Sequence, residues 1–226
     1  MKYNSITFGK FISRPNRFIA EVDILGKKKI CHVKNTGRCR ELLLPGVEVI
    51  LERSSNPSRR TEYDLVAVYK GDTLINIDSQ APNKVFGEWV KKADFFKKTT
   101  LVKPEFTYGN SRFDYYIEAD GKKILAEIKG ATLENDGVVL FPDAPTERGV
   151  KHINELIEAK KNGYEAHIFF IIQMKKCKYF TPNRETHKEF ADALKRASEN
   201  GVGIHALTCN VTEDSLEISD FAEVRL

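Results

Sequence analysis

The chain has 226 residues, 41% of them hydrophobic with 14 Phe, enough to bury the core of one large domain or two small ones. No stretch approaches the ~20 apolar residues that a membrane span requires, and the opening Met1–Ser5 has no signal-peptide core, so a cytoplasmic location is expected. The net charge of +4 is too small to prove a polyanionic partner. Its distribution says more, because residues 1–82 hold 14 Lys/Arg against 9 Asp/Glu while residues 83–226 hold 22 against 23. The positive excess therefore sits in the N-terminal third, where it would attract a polyanion; a solvated mixed surface is the alternative. Four cysteines, Cys31, Cys39, Cys177 and Cys209, lack any CxxC spacing and read as small buried thiols.

From residue 6 to 78 nearly everything reads as strand. Ile6–Ser13 is a first strand broken at Pro15-Asn16. Phe18, Ala20, Val22 and Ile24 then alternate with Glu21 and Asp23 up to Gly26, a hairpin pattern. Lys29–Lys34 continues as a third strand, Arg38–Leu44 reads as a short helix stopped by Pro45-Gly46, and Val47–Arg53, Tyr63–Tyr69 and Thr73–Asp78 complete the set. That order suits an OB-type barrel, with another five- or six-stranded barrel as the alternative. Ala81-Pro82 is the expected junction between domains 1–82 and 83–226.

Beyond it, Lys84–Phe96 is expected to be helical, anchored by Val85, Trp89 and Phe96. Strands follow at Lys103–Tyr108, Arg112–Glu118 and Lys123–Lys129. Thr146–Asn162 is a helix whose Val150, Ile153, Leu156 and Ile157 form an apolar stripe, with Gly163 at its end. Ala166–Gln173 is almost wholly apolar, as a strand covered on both faces would be. A helix over Glu185–Asn200 and strands at Gly203–Leu207 and Leu216–Ile218 close an α/β sandwich.

Chemistry concentrates on two neighbouring strands. Glu127 and Lys129 are two residues apart and share a face, and a hairpin at the ~4.8 Å strand spacing brings Asp114 beside Glu127. Two carboxylates that close repel unless a cation lies between them, and hard oxygen ligands select Mg²⁺ or Mn²⁺. Lys129 would orient the attacking water and stabilise a phosphoryl oxygen, which completes the parts for phosphodiester hydrolysis. Glu88, on the preceding helix, would be a third acid. A solvated Glu-x-Lys face is the competing reading.

Four stretches carry a resemblance: Asn35-Thr36-Gly37-Arg38, Ser111-Arg112-Phe113-Asp114, Glu127-Ile128-Lys129, and Phe141-Pro142-Asp143-Ala144-Pro145-Thr146-Glu147-Arg148-Gly149, the last continuing into Lys151-His152 and Glu155-Leu156. Through them the chain resembles the sugar fermentation stimulation protein A (SfsA) family along essentially its whole length. The resemblance implies an α+β two-domain protein, with an N-terminal OB-like β-barrel and a C-terminal α/β domain like the PD-(D/E)xK nucleases. It implies DNA binding, not necessarily sequence-specific, and a regulatory role in sugar metabolism. Carried over by position, Asp114 and Glu127 are metal ligands and Lys129 the catalytic lysine, while Glu88 matches a helix position that carries an acid in such nucleases. One departure is that Phe113, not proline, precedes Asp114.

Arg148, His152 and Glu155 share one helical face, where Arg148 would hold a phosphate and His152 would lie near the scissile group; a solvated or capping face is the alternative. Thr146 or Asp143 would cap that helix. In the barrel, free N–H groups of Asn35-Thr36-Gly37-Arg38, with Lys34 and Arg40, would clasp a phosphate, and Arg59-Arg60 is a further candidate. The plainer reading is a turn that needs Gly37. Phe8, Phe11, Phe18 and Tyr63 either stack bases or fill the barrel core. His32, His167, His187 and His205 share no metal-ligand spacing, and no GxGxxG, Walker A or Gly-x-Ser-x-Gly sequence points to a nucleotide cofactor or a serine hydrolase. A divalent-metal-dependent, nuclease-type DNA-binding protein is the expectation. A non-catalytic DNA-binding regulator of sugar metabolism genes and an interaction adaptor are the rivals.

Overall fold

The computed structural model describes residues 1–35 and 37–226. Strands β1 (Ile6–Asn16), β2 (Ile19–Ile24) and β3 (Lys27–Val33) form an antiparallel meander; β4 (Glu48–Arg53) returns to pair with β1, β5 (Tyr63–Lys70) follows beside it, and parallel β3–β5 pairing, Cys31 to Tyr63 and Val33 to Leu65, closes the barrel. Closure removes the open edges of the sheet. The alternation expected for β2 is realised: Ala20, Val22 and Ile24 are buried, and Glu21 and Asp23 are not. β6 (Thr73–Asn76) extends from β5 toward the second domain. The helix expected over Arg38–Leu44 is a single turn, in which Leu43 N–H donates to Cys39 O at 2.9 Å. Cys39 sits at φ 45°, outside the helical region, and Pro45 follows within two residues of that turn.

The second domain begins with α1 (Ala81–Val90) and a hairpin series β7 (Thr99–Tyr108), β8 (Ser111–Ala119) and β9 (Lys122–Ala131). Then come β10 (Leu133–Asn135), β11 (Val138–Phe141), α2 (Glu147–Lys161), β12 (Glu165–Ile172), β13 (Tyr179–Pro182), α3 (Lys188–Glu199), β14 (Gly203–Val211) and β15 (Leu216–Ala222). The main sheet has the order β15-β14-β12-β9-β8-β7, parallel through β14, β12 and β9 and antiparallel at both flanks. Helix α1 covers one face through Val85 and Phe86. Helices α2 and α3 cover the other through Ile153, Leu156, Phe190 and Leu194. Sandwiched between them, β12 is buried at every residue from Ile168 to Ile172, as its apolar run requires.

Helix α1 starts earlier and ends sooner than its periodicity suggests. Pro82 lies in the first turn, where its fixed φ and lack of an N–H are tolerated, so the expected junction falls inside the helix. The small sheet β10-β11-β13 was not anticipated, because strands of three or four residues show too little alternation to read. Residues at the start of the chain leave the barrel: Lys2 bridges Ser215, and Tyr3 N–H donates to Asp214 O at 2.7 Å. Among the described residues, no helix is long and apolar enough to cross a membrane.

A buried polar seam joins the two domains. Gln173 Nε2 donates to Asn76 Oδ1 (2.8 Å) and Asp78 O (3.0 Å), Asn76 Nδ2 donates to Tyr3 Oη (2.8 Å), and Tyr3 Oη donates to Asp78 Oδ2 (3.3 Å). Beside it Lys34 Nζ lies 3.2 Å from Asp64 and 3.7 Å from both Glu52 and Asp78, while the Arg59 guanidinium grips Asp64 through two nitrogens at 2.7 and 2.8 Å. Burial works against an ionised Asp64, but the Arg59 hydrogen bonds and the Lys34 charge outweigh it and hold the carboxyl down at about 2.

Two consequences can be measured. Asp64 titrates lower in the folded chain than the ordinary value of about 3.9, so its stabilisation is fully present above pH ~4 and is lost as pH falls toward 2. The gap in melting temperature between the parent and Asp64→Asn should therefore be widest near neutrality and should narrow across that acid window. Second, α1 approaches β8 so closely that a Cβ on Gly87 would collide with the Tyr115 hydroxyl. Gly87→Ala should cost about 1–3 kcal/mol in urea unfolding. Adding Tyr115→Phe, which removes the colliding oxygen, should recover part of that loss.

Candidate metal centre

Asp114 lies on β8, and Glu127 and Lys129 on β9. The antiparallel register pairs Tyr115 with Ala126; one step further along it, Asp114 stands opposite Glu127. The two strands part there, and Ile128 N–H donates to Asp114 Oδ2 at 2.8 Å, so a side chain replaces the next ladder carbonyl. The other oxygen, Oδ1, accepts from Asn83 Nδ2 of α1 at 2.8 Å, and Tyr115 Oη in turn donates to the Asn83 carbonyl at 2.7 Å. Burial, with the Glu127 charge added, pushes the Asp114 carboxyl above the usual range, against the pull of these donors and of Lys129.

Glu127 is 2% exposed. Its Oε1 takes both the Lys129 ammonium and His152 Nδ1, while Oε2 is buried without a hydrogen-bond partner among the described residues. Burial raises the Glu127 carboxyl, but the His152 hydrogen bond and the Lys129 charge outweigh it and leave it below the usual range. His152 reaches the sheet from α2, whose first turn is capped by Thr146 Oγ1 accepting from Gly149 N–H at 3.1 Å. Arg148, one turn earlier, donates from Nε to His152 Nε2 at 3.3 Å. That contact leaves Nε2 bare and places the imidazole proton on Nδ1, toward Glu127. His152 is 4% exposed, with both ring nitrogens engaged. It therefore orients Glu127, where the sequence had suggested a place near the scissile group.

Other expected residues sit elsewhere. Glu88 takes the Met1 ammonium at 2.7 Å and is 46% exposed. It lies five residues past Asn83, about 140° further round the helix at 100° per residue, so Asn83 is the α1 side chain that reaches the centre. Nothing in the sequence singled Asn83 out, because an amide carries no signal of its own. Lys34 and Arg59, expected on phosphate, are committed to Asp64 and its neighbours. Arg60, Arg38 and Arg40 are exposed; Thr36 lies outside the described residues.

In the loop after β3, backbone groups of Asn35, Gly37 and Arg38 are also spent internally. Gly37 N–H donates to Asn35 Oδ1 (2.7 Å), Asn35 Nδ2 donates to Ile77 O (2.9 Å), and Arg38 N–H donates to Asp143 Oδ2 (3.0 Å). The free N–H clasp that the sequence suggested is thus not formed at Gly37 and Arg38. Gly37 is required here because a Cβ would lie 2.6 Å from Asp143 Oδ2. Arg14, which sequence reasoning missed, holds the loop from inside: its guanidinium donates to the carbonyls of Asn35 (2.5 Å), Gly37 (2.8 Å), Arg38 (2.9 Å) and Arg17 (2.7 Å). The Asn35–Arg38 loop and the Phe141–Gly149 stretch, far apart in sequence, thus meet through Asp143.

Among the histidines, His167 Nδ1 and His205 Nε2 are 3.0 Å apart and stack against Phe169, and burial pushes both rings down to about 4, so they are neutral core residues. His187 lies near Glu147 and Glu189 (3.4 and 3.9 Å), but its Nδ1 accepts from Thr146 N–H, which leaves the proton on Nε2 facing those acids.

Comparison with known proteins adds the lineage. The family model "SfsA N-terminal OB domain" matches residues 12–77, and "Sugar fermentation stimulation protein RE domain" matches residues 80–215. Sugar fermentation stimulation protein homologs from Clostridium beijerinckii and Desulfitobacterium hafniense (strain Y51) are 58% and 60% identical over 226 residues, covering all of this chain and 100% and 99% of theirs. A solved structure of Pyrococcus furiosus SfsA in complex with Ca²⁺ is 28% identical, covers 100% of this chain and 98% of its own, and superposes with a TM-score of 0.90. With both domains matched and relatives aligned end to end, the chain belongs to the sugar fermentation stimulation protein (SfsA) family.

Proposed function

We propose that this protein binds DNA and hydrolyses its phosphodiester bonds in the cytoplasm, using a Mg²⁺- or Mn²⁺-class cation held by Asp114 and Glu127. One observation carries the reading: Glu127 Oε2 is a buried carboxylate oxygen with no hydrogen-bond donor among the described residues, in a residue held ionised and set beside a second, half-buried acid, Asp114. Leaving such an oxygen bare is costly, and a cation satisfies it directly. The donor set is all oxygen, which suits a hard divalent ion. The Ca²⁺ bound by the Pyrococcus furiosus relative supports the same ion class.

A cation held there supplies Lewis acidity and lowers the pKa of its bound water. The chain's own residues do the rest. Lys129 uses one ammonium proton on Glu127 and keeps two donors for a phosphoryl oxygen. His152 and Arg148 act through Glu127 by fixing its orientation, and Asn83 does the same for Asp114. DNA is held by the exposed arginines of the barrel loop, Arg38 and Arg40, so affinity falls with salt.

Calorimetric titration with Mn²⁺ should show binding to the parent that is strongly weakened or lost in Glu127→Gln, which replaces a charged oxygen ligand by a neutral amide. Incubation with supercoiled plasmid and Mg²⁺ or Mn²⁺ should give cleavage in the parent that Lys129→Ala abolishes while retaining the metal. Absence of heat from either ion would remove the hydrolytic proposal. DNA binding with equal, negligible cleavage in both proteins would leave the regulator.

A further inference from the structure

Building on the nucleic-acid reading above, we infer that the end of the barrel receives an unpaired strand, with a base stacked on Phe18 and its phosphates on Arg17, Arg38 and Arg40. Phe18 is the second residue of the β1–β2 turn, and it is 45% exposed. Its backbone is nonetheless fixed: its N–H donates to Asn16 Oδ1 at 2.9 Å, and its carbonyl accepts from Val33 N–H at 2.8 Å. The Arg17 guanidinium stands 4.8 Å from the ring centroid, so an aromatic face and a cation are already paired there.

The Arg14 guanidinium bonds at once to Arg17 O and to the carbonyls of Asn35, Gly37 and Arg38, which brings the β1–β2 turn and the loop after β3 together at one spot. Between them lies an open groove of about 300 Å³, lined by Arg14, Asn16, Arg17, Arg38, Arg40 and Leu43 among others. Arg17, Arg38 and Arg40 are exposed, and no carboxylate lines the groove among the described residues. The contrast with Phe8 is instructive. That ring is equally exposed, at 46%, but the hollow beside it contains Asp23 and Glu48, which repel phosphate. A lone exposed aromatic is unremarkable; one paired with the Arg17 guanidinium, on a fixed backbone next to a groove lined by arginines, is a stacking platform. Duplex DNA hides its base faces inside the stack, so only an unpaired base can use it.

The experiment is fluorescence anisotropy on the full chain in EDTA, comparing a labelled oligothymidine of about 20 nucleotides with a hairpin duplex of similar length. The parent should prefer the single strand. Phe18→Ala should weaken the single strand roughly 5- to 150-fold and leave the duplex unchanged. Phe18→Trp should retain the preference, and Phe18→Leu, apolar but without a π face, should behave as the alanine variant. Arg38→Ala with Arg40→Ala should weaken both probes and flatten the salt dependence. A parent that prefers duplex, or a Phe18→Ala that leaves single-strand affinity intact or weakens both probes equally, overturns the inference while nucleic-acid binding stands. Binding of neither probe at low salt overturns both.

Discussion

The second domain is organised around one buried charge. A carboxylate at 2% exposure loses the solvation that would otherwise stabilise it, and the surrounding elements compensate by delivering donors to a single point. Strand β9 places Lys129 two residues from Glu127, and α2 brings His152 down onto the sheet. Both meet the same oxygen and leave its twin bare. In this low-dielectric setting each contact is stronger than in water, and removing one partner of a buried ion pair costs about 3–5 kcal/mol. On the proposed function, that vulnerability has a use, because an oxygen that is to bind a cation has to be kept ionised, oriented and free of protein donors.

The same economy of polar groups shapes the join between barrel and α/β domain. Tyr3, Asn76, Asp78 and Gln173 satisfy one another in the seam, while Lys34 and Arg59 neutralise the buried Asp64. Around the loop after β3, Arg14 absorbs four carbonyls, and Asn35 and Asp143 take two N–H groups. At Gly37 and Arg38 the backbone bonds are used internally, and the side chains of Arg38 and Arg40 are exposed. Asp143 also ties the loop to the segment leading into α2, the helix that carries His152 to Glu127.

Much of this was legible from residues alone. The alternation in β2, the apolar run of β12 and the stripe of α2 each have a period long enough to reveal an element, and the hairpin spacing of Asp114 and Glu127 located the carboxylate pair. Other features were not. Helix α1 packs on the sheet through Val85 and Phe86, which sets Asn83 on Asp114 and Glu88 at the Met1 ammonium, an orientation that tertiary packing decides. Three-residue strands carry no usable period. The turn at Cys39 depends on a positive φ that a cysteine does not announce.

By itself the sequence determined what short-range physics dictates: the strand-rich basic third, the α/β remainder, and the side chains with the chemistry to hold a hard cation. Tertiary packing alone decided which charges are spent inside the molecule and which face outward. Lys34 and Arg38 lie four residues apart and look equivalent as a string, yet one is folded against three carboxylates and the other is exposed. The difference comes from Glu52, Asp64 and Asp78, partners brought in by strand pairing from distant segments. No window of neighbouring residues contains that information.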